Sequence, residues 1–121
     1  MRVGYVVLYV TDPEACLAFW TDKVGMVEKS RKQAGDFAIV QVGFADQNFA
    51  LELVPLALMQ DNPNNLDLAT PSLAFHVDDL AATRAKLVAA GIQATKPANH
   101  GGVEAFAFSD NENRWFAVTR G

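Results

Sequence analysis

Ser72-Leu73-Ala74-Phe75-His76-Val77-Asp78-Asp79-Leu80 is the stretch that decides the fold. Leu73, Phe75 and Val77 alternate with small or polar residues, as the two faces of a half-buried strand require. Asp78 or Asp79 then stands where a helix needs an N-terminal cap. Leu80, Arg84, Leu87 and Val88 are spaced along that helix, and Gly91 ends it. The same pattern occurs once before. Val6, Leu8, Val10 and Asp12 stand in the first half as Leu73, Phe75, Val77 and Asp79 stand in the second.

Working outward, residues 3–10 read as a strand, rich in β-branched and aromatic side chains. Thr11 and Glu14 have capping-box spacing, and Pro13 suits a first helical turn. Cys16, Phe19, Trp20 and Val24 recur at helical spacing up to Gly25. Strands are predicted at 26–31, 37–42 and 49–54, with turns at 34–36 and 45–48. The later copy predicts strands at 92–96, 103–108 and 115–119. Phe44-Ala45-Asp46 answers Phe108-Ser109-Asp110, and Leu51 and Leu53 answer Phe116 and Val118. Between the copies, residues 55–71 lose all periodicity around Asp61-Asn62-Pro63-Asn64-Asn65. The reading is an α+β chain with an internal duplication: one domain over 1–121, with modules at about 1–54 and 72–121 and a connector at 55–71.

Composition narrows the function classes. The 121 residues are 50% hydrophobic and 20% charged, which excludes a disordered or fibrous chain. No apolar run approaches the roughly 20 residues needed to span a bilayer. Val3 to Leu8 is too short an apolar stretch for a secretory signal, and with one cysteine, Cys16, a reducing, cytoplasmic setting is expected. Cys16 itself reads as a small buried hydrophobe. The formal charge is −4, and Lys29, Arg31 and Lys32 fit a solvated hairpin end, so neither nucleic acid nor membrane is an expected partner.

Alternation also divides the strands into two faces. Val6, Leu8, Val10, Leu51, Leu53, Leu73, Phe75, Val77, Phe116 and Val118 form an apolar face that must meet the helices. The opposite face carries Tyr5, Val7 and Tyr9, then Ala50, Glu52 and Val54, then Ser72, Ala74 and His76, and finally Trp115, Ala117 and Thr119. Glu52 is the residue that asks for an explanation. It is either an outward carboxylate on a half-exposed strand or part of a site, because burying it without a partner is costly.

Taken together, these motifs resemble the vicinal oxygen chelate superfamily, which includes glyoxalase I, extradiol dioxygenases and the bleomycin-resistance proteins. The resemblance rests on Val6 to Asp12, Phe19-Trp20, Gly25-Met26, Leu51-Glu52-Leu53, Phe75 to Leu80 leading to Gly91, and Phe108-Ser109-Asp110. It implies paired βαβββ modules curling a mixed sheet around a concave cleft, helices outside, in a homodimer. In the metal-dependent members four cleft positions hold a divalent cation. Here they fall on Tyr5, Glu52, Ser72 and Ala117, so only one carboxylate is kept. Asp110-Asn111-Glu112-Asn113-Arg114 replaces the usual Asp-Pro-Asp-Gly-Asn turn. A catalytic metal needs about three protein ligands, so no metal and no other cofactor is expected. A rebuilt site would have to draw on His76 and Glu52, with His100 added if its loop turns inward.

The resemblance then points to the metal-free, bleomycin-resistance-like branch, which sequesters a small molecule, an antibiotic among them. Tyr5, Tyr9, Glu52, Ser72, His76 and Trp115 are the expected ligand-binding residues, suited to an aromatic or cationic molecule. One alternative is a lyase or isomerase with Glu52 as general base and His76 or Tyr5 as acid. Another is a structural or protein-interaction role for the connector, through Leu56, Leu58 and Met59.

Overall fold

The computed structural model describes residues 3–62, 65–100 (His100 by its backbone alone) and 102–120, and divides into two compact units, Met1–Pro71 and Ser72–Gly121. The first runs β1 (Val6–Val10), α1 (Pro13–Ala18) with a π-helical extension Phe19–Val24, β2 (Val27–Ala34), β3 (Phe37–Gly43) and β4 (Leu51–Pro55). A 3-10 turn, Leu56–Met59, follows. The second runs β5 (Ala74–Val77), α2 (Leu80–Ala89), β6 (Ala98–His100), β7 (Val103–Ser109) and β8 (Trp115–Arg120). The strand orders are β1-β4-β3-β2 and β5-β8-β7-β6. In each sheet the first strand pairs in parallel with the last, and the remaining pairs are antiparallel. The fold is thus α+β, built twice from one module.

Each helix starts where an aspartate caps it. Asp79 accepts from the Ala82 N–H at 2.9 Å. In α1 the cap is Asp12, which accepts from the Ala15 N–H, and not the expected Thr11–Glu14 box. Asp12 is the residue immediately before Pro13, and Pro13 has no N–H to satisfy at the first position. Beyond Ala18 the helix widens into π geometry, so the consecutive Phe19 and Trp20 are both buried and meet edge to face at 5.2 Å. Gly25, at φ 96°, ends it, and the Met26 N–H returns to the Trp20 carbonyl.

Cys16, Leu8, Val10, Leu51, Leu53, Val40 and Val42 are buried in the first unit, where α1 lies against β3 and β4. Phe75, Phe108 and Phe116 form a cluster with centroids 5.8 to 6.2 Å apart in the second, where α2 lies against β8. The face assignment read from alternation therefore holds for the core side within the strands; Leu73, placed there too, precedes β5 and is only half-buried. Arg31 bonds Glu14 and Glu28, and Lys29 donates to the Gln47 and Phe49 carbonyls, so two of the basic trio, all three exposed on the β2 side of the hairpin, are held by partners within this unit.

Three expectations are corrected. Residues 92–96 form only an isolated bridge, Ala94 to Phe108, and the edge strand is β6 at Ala98–His100. Arg84 draws the Thr95 carbonyl away from the sheet, its Nε donating at 2.8 Å. The Thr95 hydroxyl accepts the Ala107 N–H in place of that carbonyl. Secondly, Tyr5 and Ser72 precede their strands, which begin at Val6 and Ala74. Thirdly, the ladders pair Val42 with Leu51 and Phe108 with Phe116, so Phe108 corresponds to Val42, not to Phe44. The loops that follow differ in length, and side-by-side letters concealed the shift. Among the described residues, no helix is long and apolar enough to cross a membrane.

Candidate functional site

Register places equivalent rows of side chains across each sheet, on the face away from the core. In the first unit the row is Val7, Glu52 and Gln41, on β1, β4 and β3. Glu52 is 7% exposed, and the Gln41 amide donates to its Oε1 at 3.2 Å. The reading of Glu52 as an outward, solvated carboxylate is therefore wrong. Tyr9 lies beside Val54 on the same face and is half-buried, whereas Tyr5, ahead of β1, is 45% exposed.

The matching row in the second unit is Ala74, Ala117 and Ala107, on β5, β8 and β7. Three methyl side chains where the first unit has valine, glutamate and glutamine leave space above the sheet. That space is a cavity of about 390 Å³. It is open to solvent, its floor is the alanine row, and Ser72, Leu73, Trp115 and Phe116 complete its lining. Trp115 is 48% exposed, so much of its indole faces solvent. None of these side chains titrates near neutral pH; the side chains of the wall are apolar apart from the Ser72 hydroxyl and the indole N–H.

Of the expected ligand-binding residues, Ser72 and Trp115 thus share one cavity. His76 lies one row further along the face, opposite Thr119, whose Oγ1 is 2.8 Å from the His76 Nδ1. Glu52, Tyr5 and Tyr9 belong to the other unit. The alanines, Gln41 and Thr119 went unrecognised as site residues. Alternation had already put Ala74, Ala117 and Thr119 on this face, but a methyl group carries no chemical signal of its own.

The family's metal positions do not fit a cation here. Ala117 offers no donor, and its neighbours in the row are two more alanines. Glu52 already accepts from Gln41, and the His76 Nδ1 is engaged with Thr119. Among the described residues, no group of three His, Cys, Asp or Glu side chains is arranged to hold a metal ion. The side chain of His100 lies outside the described residues. Phe19 and Trp20 are buried in the first unit and are not in the lining of this cavity.

Comparison with known proteins agrees with this architecture. The sequence profile of the Glyoxalase/Bleomycin resistance protein/Dioxygenase superfamily matches residues 2–118, so the chain belongs to that superfamily. No curated protein matches the sequence. Among solved structures, TnmS3, an antibiotic binding protein from Streptomyces sp. CB03234, is similar at 21% identity and a TM-score of 0.81, with 99% of this chain and 95% of that one covered. UcmS2 is similar at 20% identity and a TM-score of 0.82, covering 100% and 98%. A superfamily member from Sphaerobacter thermophilus DSM 20745 gives 20%, 0.84, 100% and 98%. At these identities the likeness shows a shared fold.

Proposed function

We propose that the protein binds and sequesters a small aromatic or cationic molecule, an antibiotic being one candidate, without a metal and without altering it. The observation that carries this reading is the alanine-floored cavity beside Trp115. It has the size of a small-molecule pocket, a flat aromatic wall and no general acid or base. A planar ring stacked on the indole displaces water from apolar surface, and a positive charge on that ring adds a cation–π attraction. The description of TnmS3 as antibiotic binding supports the same reading. We further propose that the chain works in the cytoplasm as a homodimer, which sedimentation equilibrium tests directly.

Calorimetric titration with proflavine, a planar cation, tests the site. Micromolar binding weakened tenfold or more by Trp115→Ala is the expected outcome. Unchanged affinity in that variant places the site elsewhere.

A second reading follows from Glu52, whose buried carboxylate held by Gln41 is arranged as a general base would be. In this reading the protein is a lyase or isomerase that removes a proton beside a carbonyl. Turnover of a carbonyl substrate that disappears in Glu52→Gln would establish it, and a panel of such substrates without turnover would remove it.

A further inference from the structure

The His76–Thr119 pair lies one row beyond the alanines, and nothing above gives it work. It is on the same face because each residue is two positions on from an alanine of the floor, His76 from Ala74 and Thr119 from Ala117. Two strand residues span about 6.5 Å, so the pair sits about that far beyond the alanine row and about 13 Å along β8 from Trp115. His76 is exposed and Thr119 half-buried. The row they occupy is completed by Ala105, another methyl group, so nothing on β7 blocks the path across it.

The hydrogen bond sets what the imidazole offers. The Thr119 Oγ1 lies 2.8 Å from the His76 Nδ1, and the imidazole tautomer decides which of the two donates. A neutral imidazole that accepts at Nδ1 carries its proton on Nε2. With the Thr119 hydroxyl as donor, the ring presents an Nε2–H at the end of an apolar floor that starts at an indole.

We propose that His76, oriented by Thr119, determines specificity at the Trp115 site by donating from Nε2 to an oxygen of the ligand. This rests on the binding reading above and gives the ligand a shape. It is an elongated planar molecule that stacks at one end on Trp115 and carries a carbonyl or comparable oxygen at the other. His76 is the specificity residue and Thr119 a positioning residue that fixes the tautomer.

Fluorescence titration of the full chain with p-terphenyl and with 4-acetyl-p-terphenyl tests this, since the two share a stacking surface, differ by the carbonyl arm, and set that carbonyl about 12 Å from the far ring, close to the spacing along β8. The expected result is a preference of roughly five- to tenfold for the ketone, the range of one net hydrogen bond. His76→Phe and Thr119→Val abolish the preference, and do so by weakening the ketone. On adding the ketone, the long-range 15N spectrum of His76 shows a shift at Nε2 with Nδ1 unprotonated. If both variants keep the preference, or Nδ1 carries the proton, the assignment is overturned. If Trp115→Ala leaves both probes unaffected, the underlying site fails as well, and the two failures are told apart by that variant.

Discussion

The carboxylate of Asp110 closes the β7–β8 turn onto Arg114. Its Oδ1 accepts the Arg114 backbone N–H at 2.8 Å and the Glu112 N–H at 2.9 Å, and its Oδ2 meets the Arg114 guanidinium at 3.3 Å. The next residue is Trp115, so this clamp fixes where the indole of the cavity emerges. The Asp110 side chain is buried, so removing it strands two backbone donors and takes from Arg114 one of its two carboxylates, leaving Glu112 at 3.1 Å. Asp110→Ala is expected to cost about 2–4 kcal/mol in urea unfolding, and Asp110→Asn, which keeps the acceptor oxygen, about 1 kcal/mol. Equal losses for the two would mean that the charge, not the acceptor, closes the turn.

Asn113 sits in the same turn at φ 64°, a left-handed conformation where the family's turn has glycine. Asparagine tolerates this region and a β-branched residue does not. Asn113→Gly is expected to change stability by less than about 0.5 kcal/mol, while Asn113→Val loses about 1–2 kcal/mol. Thermal unfolding of the pair reads the difference.

Thr95 holds the edge of the second sheet with its side chain in place of its carbonyl. Thr95→Ser retains the hydroxyl and should retain stability. Thr95→Val leaves the Ala107 N–H without that acceptor and should cost about 1 kcal/mol, with faster hydrogen exchange at the Ala107 amide. Uniform loss of protection across β7 and β8 instead would point to general destabilisation of the sheet.

Residues 92–96 show where sequence reading reaches its limit. Their apolar pattern is that of a strand, yet Arg84 on α2 captures a carbonyl and the ladder resumes only past Pro97. A helix-to-strand hydrogen bond of this kind leaves no periodic trace. What alternation does report is which face each side chain takes, and that is why the duplicated module, the core side and the residues of the opposite face were all legible. Whether Glu52 was buried was not, because burial depends on what lies across the row, and Gln41 is known as its neighbour only from the β3–β4 register. The cavity was hidden for a related reason. It arises where side chains are missing, at Ala74, Ala107 and Ala117, and a strand tolerates alanine without comment.

Gly43 gives a close-approach test of the first unit. A Cβ there would overlap the Phe49 carbonyl oxygen and press on the Lys29 side chain, which donates to that same carbonyl. Backbone cannot retreat as a flexible side chain does. Gly43→Ala is therefore expected to destabilise by about 1–3 kcal/mol, the range for inserting a methyl group into a filled space. Gly35→Ala in the β2–β3 turn meets open space but carries a positive φ of 61°, so its smaller loss of about 1 kcal/mol is conformational. Lys29→Ala in the Gly43→Ala background, which removes the Cδ and Cε that the new methyl meets, separates the contributions, relieving only the part due to the lysine.

Ala117 offers the sharpest test of the cavity. It sits at the middle of the floor, between Ala74 and Ala107, in the row where the other sheet carries Glu52. A leucine there points into the cavity and not into packed core, so it fills space that a ligand would need. Ala117→Leu is expected to shift stability by less than about 1 kcal/mol, because no close-packed neighbour has to move. Its effect on proflavine binding should be a loss of tenfold or more, since the planar ring and the new side chain claim the same volume. A variant that unfolds earlier by several kcal/mol would show the floor to be packed; one that folds well and binds as before would show that the ligand does not lie on the alanines. Loss of binding with stability retained is the combination that a site at this position alone produces.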